Sequence, residues 1–166
     1  MPTFENKPIN QVNKKTTIMR RGDMEIPLTI VAMSTDFMLR YRDKLGVLAR
    51  PKVSQTYVRE DGKLVRDELG QPITKDGPEG AALWREWNEK YTALALVDVL
   101  RESPGLAWDT KAPESEDTQE WNAYATALHK EIVVDGGFTQ KEIDTILKMA
   151  DDLECQIDVD KALDSF

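Results

Sequence analysis

The chain has 166 residues, of which 40% are apolar and 31% are charged, and its net charge is −8. This length fits one domain, and no run approaches the roughly 20 apolar residues of a membrane-spanning helix. The first residues lack the apolar stretch of a signal peptide, and Cys155 is the only cysteine, which excludes an intrachain disulfide. These features predict a soluble protein of a reducing cytoplasm with no membrane partner.

The charge is unevenly distributed along the chain. Residues 1–59 carry 11 Lys/Arg against 5 Asp/Glu, a net charge of +6, whereas residues 60–166 carry 11 against 25, a net charge of −14. Either the charges only keep the protein soluble, or the basic end of one copy meets the acidic end of another and the copies self-associate. Nucleic-acid binding is disfavoured, because Lys14-Lys15 and Arg20-Arg21 lack interleaved aromatic residues.

The polar residues 1–15 are predicted to form a flexible arm. A small β-hairpin follows, with strands over 16–19 and 24–32 and a turn at Arg20-Arg21-Gly22-Asp23, because apolar and polar residues alternate in the second strand. Pro27 indicates that this is an edge strand, since proline donates no ladder hydrogen bond.

A short helix is predicted next, capped by Ser34-Thr35-Asp36 and ended by Gly46. Residues 50–80 have the weakest pattern, with several prolines and glycines and a hairpin signal at Asp61-Gly62. We expect them to protrude as a loop or hairpin from a single domain that spans residues 16–166.

Three amphipathic helices are predicted in the remaining chain. The first begins at Pro78-Glu79 and ends at Pro104-Gly105. The second lies between Asp117 and Gly136-Gly137, and the third begins after Thr139. Their apolar stripes are, in order, Trp84, Trp87, Tyr91, Leu94 and Ala95; Trp121, Tyr124, Ala125, Leu128 and Ile132; and Ile143, Ile146, Leu147, Ala150 and Leu153.

The third helix has a complete start signal. Thr139 and Glu142 have the spacing of a capping box, and Phe138 and Ile143 stand where a hydrophobic staple closes. A short final helix is predicted over 159–166. Together the elements predict an α+β fold that is mostly α: a small N-terminal β-hairpin followed by a helical bundle.

Residues that could carry out chemistry are sparse. His129 has no second histidine or cysteine at ligand spacing, and the acidic neighbours of Cys155 disfavour a thiolate nucleophile. The acidic residues between 151 and 164 lack the spacing and the glycine of an EF-hand loop. We therefore expect no enzymatic activity, no metal and no cofactor.

The aromatic residues of the first long helix are the candidates for binding a partner. The chain has four tryptophans, and most should lie in the core. A tryptophan outside the core would be a candidate anchor, since this residue is enriched at binding hot spots. The predicted partner-binding residues are Trp84, Trp87 and Tyr91.

The order of these features resembles the tail assembly chaperones of long-tailed bacteriophages. The segments that carry the resemblance are Met24–Thr29, Arg50-Pro51-Lys52, the excursion with Asp61-Gly62 and Pro72, the helix with Trp84 and Trp87, Gly-Phe-Thr-x-x-Glu-Ile-x-x-Ile-Leu over 137–147, and Ala162-Leu163-x-x-Phe166.

The resemblance implies a non-enzymatic protein of the host cytoplasm. Such chaperones bind the tape measure protein, keep its long apolar helices soluble and help to recruit tail tube subunits. They usually leave before the virion is complete, and many also exist in a C-terminally extended form made by ribosomal frameshifting.

Two other functions stay open at this point. One is a permanent structural part of the virion, such as a neck or tail-completion protein. The other is an acidic inhibitor that mimics DNA, although Lys141, Lys148 and Lys161 interrupt the acidic last third of the chain.

Overall fold

A computed structural model describes residues 2–8 and 13–154. These residues form an α+β fold that is mostly α, which confirms the predicted fold class. The strands are β1 (Thr3–Phe4), β2 (Lys7–Pro8), β3 (Lys14–Arg21), β4 (Met24–Val31), β5 (Gln55–Tyr57), β6 (Arg59–Glu60), β7 (Lys63–Leu64) and β8 (Thr74–Asp76). The helices are α1 (Pro78–Val99), α2 (Thr118–Lys130) and α3 (Gln140–Glu154), and two π-helical turns cover Leu39–Lys44 and Glu131–Asp135.

β3 and β4 form the predicted hairpin. β3 is two residues longer than predicted at each end and β4 is one residue shorter, so the predicted four-residue turn is wrong: Arg20 and Arg21 belong to β3, and the turn is Gly22-Asp23. Gly22 has a φ of +59° in the two-residue turn, a conformation that side chains with a Cβ rarely adopt.

Met19, Leu28 and Ile30 are buried on the inner face. Among the described residues β4 pairs only with β3, so the edge position predicted from Pro27 is confirmed.

The helix after the hairpin forms, but its predicted cap is wrong. Phe37 and Met38 begin it, it continues as the π-helical turn Leu39–Lys44, and no side chain caps that turn. The hydroxyl of Ser34 instead donates to the Asp98 carboxylate of α1 (2.7 Å), and that carboxylate also accepts from the Ser34 N–H (2.7 Å). The local pattern predicted that Ser34 would help to cap its own helix. Ser34 instead binds a carboxylate that lies 64 residues away in the sequence.

The predicted excursion over 50–80 is a ribbon of short strands that ends with β8, and its last residues, 78–80, belong to α1 instead. β5 pairs with β8 and β6 pairs with β7, both antiparallel. Asp61 and Gly62 have φ values of 51° and 76°, which a tight two-residue hairpin turn requires, so the hairpin signal is confirmed. A Cβ on Gly80 would lie 3.1 Å from the Cβ of Val53, so this glycine lets the ribbon approach the start of α1.

The first long helix begins at Pro78, as predicted, but ends at Val99, before the predicted stop at Pro104-Gly105. The buried Ser103 accounts for the earlier end. Its hydroxyl donates to the carbonyl of Thr29 (3.0 Å) and accepts from the Thr29 N–H (2.9 Å), so the chain leaves the helix to bind β4.

The second and third helices follow their predictions. The carboxylate of Asp117 accepts from the N–H groups of Gln119 (2.8 Å) and Glu120 (3.3 Å), and it thereby caps α2. Thr139 accepts from the Glu142 N–H (3.2 Å), and Glu142 accepts from the Thr139 N–H (3.0 Å), so the capping box is complete.

One core cluster joins the hairpin to the three helices. Its buried members from α2, the following π-helical turn and α3 are Trp121, Ala125, Leu128, Ile132, Ile143, Ile146 and Ala150, which confirms the predicted stripes. The two staple residues, Phe138 and Ile143, lie in the same cluster.

The predicted arm over 1–15 and the single domain over 16–166 stay predictions, although β1 and β2 pair antiparallel within the arm. The predicted last helix, 159–166, lies outside the described residues. No described helix has both the length and the apolarity that crossing a bilayer requires.

Candidate functional site

The three predicted partner-binding residues form a line of rings along α1. The rings of Trp84 and Trp87 meet edge to face with centroids 5.7 Å apart. The rings of Trp87 and Tyr91 are stacked, with centroids 5.3 Å apart and an angle of 6° between their planes. The structure therefore brings all three together, but their surroundings differ.

Trp87 is held from inside the molecule. Its indole Nε1 donates to the carbonyl of Leu48 at 2.9 Å, and its ring packs against the core cluster. A tryptophan whose N–H is hydrogen-bonded within the fold and whose ring stacks on a neighbouring ring has mainly a structural role. Trp87 can therefore support Trp84 through their edge-to-face contact.

Tyr91 is also partly buried against the core, where it meets the ring of Phe37 edge to face at 5.9 Å. Burial raises the pKa of its phenol, and the negative charges of Glu154 and Asp151 raise it further. Tyr91 therefore stays neutral at physiological pH and acts as a packing residue.

Trp84 is the member of the trio that lies outside the core cluster. It is half-buried and forms part of the wall of a groove of about 670 Å³ between α1 and the corner where α2 passes into α3. We call this the α1 groove. Residues that line it include Trp84, Arg85, Glu89, His129, Val133 and Gln140.

The α1 groove combines apolar and charged side chains. Trp84 and Val133 offer apolar surface, and Val133 is 37% exposed. Arg85 and Glu89 carry opposite charges one helical turn apart, and His129 faces the same space. This mixture suits the apolar stripe and polar flank of an amphipathic helix, a common mode of peptide recognition.

We find no group of three or more His, Cys, Asp or Glu side chains assembled to hold a metal ion in residues 2–8 and 13–154. Every buried side-chain nitrogen and oxygen in this part of the chain has a hydrogen-bond partner. Cys155, the only cysteine of the sequence, lies outside the described residues.

Sequence reasoning missed the joint between the hairpin and α3. Arg21 donates Nη1 to Oε2 of Glu142 (2.6 Å) and Nη2 to Oε1 (3.1 Å), a bidentate pair, and its guanidinium lies 5.3 Å from the centre of the Phe138 ring. The Arg21 hydrogen bonds, helped by those from Thr139, lower the pKa of Glu142 to about 2. The two partners are 121 residues apart, and no local pattern signals such a pair.

No family model, curated protein or solved structure matched the chain.

Proposed function

We propose that this chain is a non-enzymatic tail assembly chaperone of a long-tailed bacteriophage. It binds the tape measure protein in the host cytoplasm and helps the tail tube to assemble around it. The proposal rests on the order of sequence features that resembles this family, and on one structural observation. That observation is an aromatic side chain, Trp84, outside the core and at the wall of an open groove.

The side chains of the α1 groove are suited to bind a helical partner. The resemblance implies a partner, the tape measure protein, whose long apolar helices must be shielded from water. Trp84 supplies a large ring at low conformational cost, and Arg85 and Glu89 can pair with charges at the flank of an incoming helix. The aromatic line behind Trp84 is held by the core through Trp87, so the anchor is pre-organised.

The binding experiment uses the long helical tape measure protein encoded in the same genome. We expect the chain to keep that protein in solution on co-expression, and Trp84→Ala to weaken the complex by about tenfold or more. Tyr57→Ala is the matched control, because Tyr57 is an aromatic residue 58% exposed on β5, away from the α1 groove. A complex weakened by Tyr57→Ala but not by Trp84→Ala would overturn the assignment of the groove.

Purified virions separate the chaperone from its main alternative. A chaperone that leaves during assembly should be absent from them. Stoichiometric amounts of the chain in complete particles would instead favour a permanent neck or tail-completion protein.

We also propose self-association of the chain through its uneven charge. Head-to-tail contact between a basic and an acidic end is heterologous, so it builds rings or open arrays. Such exposed pairs are screened within roughly 8 Å at physiological salt, so oligomers should weaken as salt rises. A monomer in sedimentation at both low and high salt, at high protein concentration, would contradict this.

A further inference from the structure

A second groove lies between β3 and α3, and we call it the β3 groove. It has a volume of about 370 Å³, and its apolar lining comes from Ile18, Met19, Ile146 and Met149. Ile18 is 54% exposed, so this lining is open to the solvent. An apolar cavity of roughly 150 Å³ already holds a molecule as large as benzene, so the β3 groove has room for one large apolar side chain.

Residues 67–71, which we call the ribbon loop, hold such a side chain in the solvent. Leu69 is 86% exposed, the highest value among the large apolar residues that the structure describes. The Asp67 carboxylate accepts from the N–H groups of Leu69 (2.9 Å) and Gln71 (2.8 Å), and the Asp67 N–H donates to the Gln71 carbonyl (2.9 Å). These hydrogen bonds fix the ribbon loop in one conformation, so Leu69 can bind without the entropic cost of ordering the loop.

The charged side chains that line the β3 groove are paired, with one exception. Arg20 binds Glu25 (3.6 Å), and the carboxylate of Glu142 binds Arg21 (2.6 Å). Lys141 also lines the groove, and it forms no ion pair with any residue that the structure describes. The β3 groove therefore offers an apolar lining with one positive charge beside it.

We infer that the ribbon loop of a second copy of this chain docks on the β3 groove and inserts Leu69 into it. The ribbon loop contains two acidic residues, Asp67 and Glu68, and no cation. Glu68 has no ion-pair partner among the described residues. Docking buries the leucine against the apolar lining and brings the negative loop to Lys141, so both size and charge favour this occupant.

The contact joins two different surfaces, the ribbon loop of one copy and the β3 groove of the next. Within one molecule the two do not meet, because Leu69 is exposed. The contact is heterologous, so it builds rings or open arrays. The inference rests on the self-association proposed above and assigns its surfaces, but it requires neither the tape measure protein nor the α1 groove.

Sedimentation of the full-length chain at low salt, over a range of concentrations, tests the anchor. Because a buried leucine contributes strongly to association, Leu69→Ser should weaken it by about ten- to hundredfold. Leu39→Ser is the matched control, since Leu39 is 52% exposed on the π-helical turn outside the β3 groove, and it should change the affinity by less than about threefold. Oligomers of Leu69→Ser as stable as those of the unsubstituted chain would overturn this inference and leave charge-driven self-association in place. A monomeric unsubstituted chain would overturn both.

A mixture of two variants tests whether the contact joins loop to groove. Leu69→Ser keeps the groove and loses the anchor, whereas Ile18→Asp keeps the anchor and places a charge in the groove. At concentrations at which the unsubstituted chain is oligomeric, each variant alone should be monomeric. Their equimolar mixture should form dimers and nothing larger, because one intact loop and one intact groove remain per pair. Larger species in the mixture, or dimers of either variant alone, would overturn the inference.

A charge reversal tests the same contact without changing the apolar lining, and it replaces the mixture experiment if Ile18→Asp unfolds the chain. Lys141→Glu should weaken self-association by about two- to fivefold, the range expected of an exposed ion pair. Glu68→Lys in the same chain should restore it, since the loop then carries a charge opposite to that of the groove. No loss in Lys141→Glu, or a loss that Glu68→Lys does not restore, would contradict the docking of the ribbon loop on the β3 groove.

Discussion

The two halves of α1 belong to one continuous helix but differ in what covers them. In the first half, residues 78–90, only Gly80 is buried. In the second half, residues 91–99, the buried side chains are at most 2% exposed: Ala93, Leu94, Ala95, Leu96 and Val99. The buried side chains of the second half belong to the core cluster that also contains residues of the hairpin, α2 and α3, whereas the first half carries Trp84, which lies outside that cluster.

Because of this difference, we expect the second half of α1 to determine the stability of the fold and the first half to contribute to binding. The apolar area removed from water is concentrated in the second half, so the free energy of unfolding should depend mostly on that half. The first half keeps an aromatic side chain at the surface, where a partner can reach it. Substitution of Trp84, which lies outside the core cluster, should therefore alter binding without unfolding the protein.

The largest effect should come from a cavity in the packed half. Leu96 is fully buried, so Leu96→Ala should lower the free energy of unfolding by about 2–5 kcal/mol, measured by urea titration. Leu83→Ala is the matched control in the exposed half, because Leu83 is 41% exposed. It should change the value by less than about 0.5 kcal/mol, and equal losses in the two variants would break the comparison.

The second effect concerns the joint that holds the hairpin to α3 and so closes the packed region. The folded pKa of Glu142, about 2, lies below its ordinary 4.5, so the folded state holds its proton less tightly than the unfolded state. The stabilisation is complete above pH 4.5 and disappears as the pH falls toward 2.

Glu142→Gln should accordingly cost about 1–2 kcal/mol at pH 7, since the pair is partly solvated and its full electrostatic value is screened. The difference from the unsubstituted chain should shrink as the pH falls through this range. A difference independent of pH between 6 and about 2 would show that the carboxylate charge is not what stabilises the joint.

A smaller effect is expected at the cap of α3. Thr139→Ala removes the acceptor of the Glu142 N–H and should lower the free energy of unfolding by about 1 kcal/mol. Thr145→Ala is the matched control, since its exposed hydroxyl only donates back to the carbonyl of Lys141 and alanine favours the helix. Similar losses in both variants would argue against the cap as the cause.

The smallest effect is expected in the ribbon next to the exposed half of α1. Leu69 is 86% exposed, so Leu69→Ser should change the free energy of unfolding by less than about 0.5 kcal/mol. Amides of β5 and β8 should also exchange faster than those of the packed half of α1, measured by hydrogen exchange. Equal protection of the two regions would mean that the ribbon unfolds together with the core.

The sequence predicted those features that depend on neighbouring residues. The apolar stripes of α2 and α3, the capping box at Thr139 and the turn at Asp61-Gly62 follow from spacing and backbone preference within a few positions, and the structure has all three. The features that it could not predict depend on distant partners. Ser34 binds Asp98 instead of capping its own helix, and Ser103 ends α1 early by binding β4.

The candidate site shows the same limit within one stripe. Trp84 and Trp87 stand three residues apart and look equivalent in a helical pattern. They differ because the carbonyl of Leu48, 39 residues from Trp87, accepts the indole N–H of that residue alone. A helical period indicates which side chains share a face of the helix. Which of those side chains are buried depends on chain segments that are distant in the sequence.

The distance along the chain between Arg21 and Glu142 also has a consequence for synthesis. After Arg21 the ribosome adds 121 residues to reach Glu142, which takes on the order of ten seconds at about 5–20 residues per second. During that interval the nascent hairpin presents Met19 and Leu28 without the helices that later bury them, and Arg21 lacks its partner Glu142. The molecule therefore passes through a stage in which the hairpin exposes apolar side chains to the solvent. That stage ends when α3 has been synthesised and packs against the hairpin.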